Sequence, residues 1–145
     1  MAGRSMVPTS VEVLTRALSF AEQRHHIIAN NIANANTLGY KAQRAPVGEF
    51  QRSLLSAIEE SAGRRQGPFR LQATRHISDG PGGLQVSPLR DLAGASGILR
   101  HDENNVSLEK EMGALAENTM MYRTLSDLLR KQYMMLRMAA AERVS

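Results

Sequence analysis

From Val11 onward, apolar residues recur three and four positions apart: Val11, Leu14, Leu18, Ala21, Ile28, Ile32 and Ala35, with His25 the one polar member of the series. That spacing keeps one stripe of a helix apolar for more than three heptads and predicts a coiled-coil seam. Thr9 and Glu12 frame the start as a capping box after Pro8, so the predicted helix runs from about 10 to 36 and is about 40 Å long. Asn34 to Tyr40 should end it. Asn and Thr bond their own backbone, Gly39 can take the left-handed conformation of a helix stop, and Tyr40 can fold back on the last turn.

A weaker pattern, Val47, Phe50, Leu54, Leu55 and Ile58, predicts a short helix over 47–60. Residues 61–103 then carry seven Gly and three Pro with no sustained period, and are expected to be loop, partly disordered. Within them Phe69–Ala73 and Leu84–Val86 alternate briefly and could pair as a small hairpin. Regularity returns at Ser107, a plausible N-cap followed by Glu109 and Glu111 in the first turn. Leu108, Leu115, Tyr122, Leu129 and Leu136 recur every seven residues, flanked by Met112, Met121, Leu125, Leu128, Tyr133 and Met135. The stripe is wider than one seam and calls for more than one partner surface.

The expected fold is therefore all-α: helix 10–36 and helix 107–142 packed as an antiparallel coiled coil, with a short third helix. The chain divides into a flexible start (1–9), an N-terminal helical region (10–60), a variable region (61–103) and a C-terminal helical region (104–145). Asn30 and Asn34 share a face beside the Ile28 and Ile32 stripe and are expected to set its register.

Composition narrows the function. The 145 residues include no Cys, which removes disulfides, thiolate metal sites and a Cys nucleophile. Of 18 basic residues 15 are Arg, giving a net charge of +4, but they are interleaved with Glu and Asp and lack stacking aromatics, so a nucleic-acid surface is the lesser alternative. No stretch has membrane-spanning length, and the first ten residues do not resemble a secretory signal.

Candidate chemistry is equally thin. His25 and His26 are adjacent, so they project about 100° apart on a helix and do not converge on an ion. No phosphate loop or nucleophile–base arrangement occurs. Catalytic, metal and cofactor residues are accordingly assigned as none. Six of the eight Met lie on the last helix; Met120 and Met134 turn away from its Leu stripe, as suits adaptable contacts with non-identical partners.

Asn31-Ile32-Ala33-Asn34-Ala35-Asn36-Thr37-Leu38-Gly39-Tyr40-Lys41 resembles the N-terminal signature of bacterial flagellar rod and hook proteins, and Asn105-Val106-Ser107-Leu108-Glu109-Lys110-Glu111-Met112 with Leu115 to Asn118 and Tyr122 looks like their matching C-terminal end. The chain departs from that pattern at Asn36, Leu38 and Ser107, where the family commonly has Asp, Pro and Asp. Length and the closing Leu136–Ala140 look most like the proximal-rod members; the neighbouring rod protein FlgC is the near alternative.

The resemblance implies a non-enzymatic rod subunit of the periplasmic basal body, exported without a cleaved signal peptide through the flagellar type III export gate. It implies contacts with FlgC-like subunits, with a FliE-like adapter and with further copies of itself, with no nucleic acid and no membrane insertion. The expected assembly interface is Val11, Leu14, Leu18, Ala21, Ile28, Asn30, Ile32 and Asn34 on the first helix and Leu108, Met112, Leu115, Tyr122, Leu125, Leu129 and Leu136 on the last. Asn36, Thr37, Gly39 and Tyr40 form the loop signature.

Overall fold

The computed structural model describes residues 9–63, 67–90 and 106–142. Expectations for the start before Thr9, for the far end of the variable region and for the last three residues lie outside the described residues.

Helix α1 spans Thr9–Ala33 and α2 spans Val47–Gly63, which exceeds the sequence expectation by about a turn. Helix α3, Leu108–Glu142, is the longest element at 35 residues, about 52 Å. α1 stops three residues before the expected end. Asn34 Nδ2 donates to the Asn30 carbonyl at 2.8 Å and Thr37 N donates to the Asn34 carbonyl, so local bonds replace the helical ladder. Gly39, at φ +70°, then reverses the chain.

Two short antiparallel strand pairs correct the all-α expectation. β1 (Gln43–Arg44) pairs with β4 (Leu89–Arg90), and β2 (Ile77–Gly80) pairs with β3 (Gly83–Val86) through a Pro81-Gly82 turn. The expected hairpin thus exists with a different first strand. Leu84–Val86 does pair, but with Ile77–Gly80; Phe69–Ala73 stays irregular and sends Phe69 and Leu71 into the core. The physical reason is turn geometry. Gly80 opposes Gly83 across a two-residue connection, and Gly83 at φ +95° occupies backbone space closed to other residues, whereas 69–73 would need a ten-residue loop.

The main core lies between one face of α1, α2 and the hairpin. Phe20, Phe50, Ala57, Phe69, Leu71, Ile77 and Leu84 are buried there, with Val13, Ala17, Leu54, Ile58 and Val86 packed around them. It holds all three Phe of the chain, and Phe20 stacks on Phe50 with centroids 4.1 Å apart. Each such ring stabilises by about 1.5–3 kcal/mol on burial, which is what a hairpin needs to be stable at all. On its other side α1 packs against α3. The direction is antiparallel: Ser10 meets Gln132, Ala21 meets Asn118 and Arg24 meets Glu117.

Candidate assembly interface

α1 works on two faces. Toward the hairpin it presents Arg16, Ala17, Phe20 and Gln23. Gln23 holds β3 at two points, its Nε2 donating to the Leu84 carbonyl at 2.6 Å and its Oε1 accepting from Val86 N at 2.8 Å. Arg16 donates to Asp79 Oδ2 at 3.2 Å and to the Phe69 carbonyl at 3.3 Å. Strand alternation puts Asp79 on the same inward face as Ile77, so its carboxylate, 1% exposed, is held by Arg16 and Leu71 N. The hairpin is also tied to α2: Thr74 Oγ1 donates to Glu49 Oε2 at 2.7 Å, and His76 Nδ1 lies 2.8 Å from Glu49 Oε1. These two partners, Thr74 first, hold the Glu49 carboxyl below its ordinary pKa.

Toward α3, α1 presents Val11, Ala21 and Ile28, all buried, with Leu14, Leu18 and Ile32 half-buried. His25, expected in this seam, is exposed, as is His26; their rings meet edge-on at 6.3 Å. Ile27, absent from the seam series, is buried instead, one heptad on from Phe20. Among the described residues no group of three or more His, Cys, Asp or Glu could hold a metal ion.

The loop after α1 is organised by Asn31, 1% exposed. Its Nδ2 donates to the Gln43 carbonyl at 2.7 Å and its Oδ1 accepts from Gln43 N at 2.9 Å and from the Tyr40 hydroxyl at 3.0 Å. One side chain therefore acts as a short strand for β1. Asn30 donates to the Tyr40 hydroxyl and Asn34 bonds Asn30 and Thr37, so both amides are engaged along the loop. Burial, ahead of a nearby Glu111 charge, pushes the Tyr40 pKa above 10.0 against the opposing Asn30 bond. Ala35, Ala42 and Val106 close a second, small core beside Tyr40. Asn36, Thr37 and Gly39 are exposed, and Leu38, where the family commonly has Pro, is 78% exposed.

α3 is built differently. Asn118 is its one buried residue; Leu115, Leu125, Leu129 and Leu136 are half-buried, and Leu108, Met112 and Tyr122 are exposed. Met120, Met121, Leu128, Tyr133, Met134, Met135 and Met138 are exposed too. Glu117, Met120, Met121, Thr124 and Leu125 line a shallow open depression along it. With Ser10 paired to Gln132, residues 133–142 run beyond Thr9, the first described residue of α1. That stretch, Tyr133 to Glu142, has Arg137 as its only charge before the final Glu, and apolar residues stand all round it. A helix with apolar residues all round is one that its surroundings bury. Among the described residues no helix is long and apolar enough to cross a membrane.

A helix pair closed on one side by its own chain, with Met, Leu and Tyr left exposed along the other, fits a structural subunit that assembles with further chains. The profile described as Flagella basal body rod protein matches residues 12–41. The chain is 31% identical to the Flagellar basal body rod protein FlgB of Borrelia hermsii over 121 residues, 82% of this chain and 86% of that one. It is 30% identical to FlgB of Bacillus subtilis over 135 residues, 89% and 91% of the two. A 48-residue stretch is 44% identical to the Flagellar hook-basal body complex protein FlhO of Bacillus subtilis, covering 33% of this chain and 18% of FlhO. The chain belongs to the flagellar basal body rod protein family, is FlgB-like within it, and is a structural component of the basal-body rod.

Proposed function

We propose that this subunit stands in the proximal rod and is held there by coiled-coil packing of α3 with α1 and with the helices of like and unlike neighbours, FlgC-like subunits and a FliE-like adapter among them. It reaches that place unfolded, through the flagellar export gate. The observation that carries the reading is the state of α3, with one buried residue in 35 and exposed apolar residues all round its last third. Burying Met134, Met138 and Tyr133 against neighbours would contribute roughly 1.5–3 kcal/mol per side chain, enough to offset the ordering of an exposed helix end.

Met134 and Met138 are 57% and 64% exposed, so charging them leaves the subunit's own packing intact. Met134→Glu with Met138→Glu is expected to keep the melting temperature of the purified chain within about 2 °C of the parent, since surface changes stay near ±0.5 kcal/mol. The same variant is expected to be exported yet to abolish rod completion and swimming. Normal motility would refute the assignment of this face to neighbours.

A further inference from the structure

Asn118 stands out among the seam residues. It is 0% exposed, the sole fully buried position of α3, and it falls three residues after Leu115 and four before Tyr122, at a core position of the heptad. Its Nδ2 donates to the main-chain carbonyl of Ala21 at 2.8 Å, while its Oδ1, also buried, has no partner. A half-satisfied amide in an apolar seam costs stability compared with Leu at the same place. Such a residue is kept where it specifies an arrangement.

We infer that Asn118 fixes the register of α3 on α1. Along the α1 stripe of Val11, Leu14, Leu18, Ala21, Ile28 and Ile32, Ala21 is the one small residue, leaving its carbonyl reachable from the partner helix. A slip of one heptad preserves the apolar match but brings Asn118 opposite Leu14 or Ile28, whose larger side chains cover the backbone and leave the whole amide buried without a partner. Two other polar contacts described across the pair do not make this choice. Ser10 to Gln132 at 3.4 Å and Arg24 to Glu117 at 3.9 Å are long and involve exposed groups, and such surface pairs contribute little. The register in turn sets how much of α3 projects past α1. The inference stands on the α1–α3 pairing and does not depend on which partner covers the projecting end.

The chain has no Cys, so nitroxide labels on Glu22→Cys and Glu117→Cys, both exposed positions, report the register in the full chain by electron–electron dipolar distances. A one-heptad slip moves one label about 10 Å along the other helix. The parent is expected to give one distance population. N118L is expected to stay helical with an undiminished melting temperature and to add a second, slipped population. A21L/I28A, which moves the small residue one heptad along α1 and leaves Asn118 in place, is expected to shift the main population to the slipped register. An unshifted single population in either variant overturns the inference. Loss of helix in N118L overturns it as well, because the amide would then hold the pair together instead of choosing its register.

Discussion

The two sides of α1 meet different fates. On one side Phe20, Phe50, Phe69 and the hairpin form a core that the chain closes by itself, with main-chain latches at Gln23 and a buried carboxylate at Asp79. On the other side α3 buries one residue and leaves Met and Tyr in water. The same helix thus belongs to a finished domain and to an unfinished one. Stability of the isolated subunit should reside in the first and assembly in the second, and each can be disturbed without the other.

The largest disturbance of the closed side is Phe20→Ala. Removing a buried ring that stacks at 4.1 Å on Phe50 should cost about 3–5 kcal/mol, or roughly 10 °C in melting temperature for a chain of this size. The contrast is with the exposed Met of α3, whose truncation should leave the same melt almost unmoved. Equal losses from Phe20→Ala and Met138→Ala would erase the distinction between the two sides.

Next in size is Arg16→Ala, which strands the Asp79 carboxylate inside the hairpin face with Leu71 N as its remaining donor. Because the Arg16 side chain is 25% exposed, the loss should be below that of a fully buried pair, roughly 2–3 kcal/mol. Replacing both partners by Leu should recover most of it, since no unpaired charge then remains. A double variant as unstable as Arg16→Ala would mean that the hairpin depends on this ion pair for more than neutralising a buried charge. Thermal melts of the three proteins decide it.

Much of this was legible in the sequence, and the omissions follow one pattern. Periods of 3.5 to 3.6 mark α1 and α3 because a long helix repeats its environment, and Gly39 and Tyr40 mark the turn because only a few residues suit it. The second face of α1 was hidden. Val13, Phe20 and Ile27 sit one position away from Leu14, Ala21 and Ile28, so a search for a single seam reads past them. The hairpin was half hidden because four-residue strands carry little periodicity, and Ile77–Gly80 contains an inward Asp that looks polar until Arg16 is seen beside it. Asn31 and Asn118 were hidden for the same reason: their surroundings, not their neighbours in sequence, make them buried. A signal for Asn118 did exist in its heptad position between Leu115 and Tyr122.

The smallest effect tests whether the closed side has a seam of its own. Glu49, in the first turn of α2, accepts from Thr74 and faces His76, and both hold its pKa below the ordinary 4.5. In the folded chain the carboxyl takes up its proton at lower pH than in the unfolded chain. Its contribution is therefore complete above pH 4.5 and is lost as the pH falls from there through the folded value. Glu49→Gln cannot titrate, so its melting temperature should decline less steeply than the parent's between roughly pH 5 and pH 3, with other carboxylates common to both proteins. Hydrogen exchange localises the change: in the parent, acid should loosen β2 and β3 against α2 while the Gln23 latch keeps β3 on α1. Identical acid limbs in the two proteins would show that α2 and the hairpin are joined by the apolar core alone.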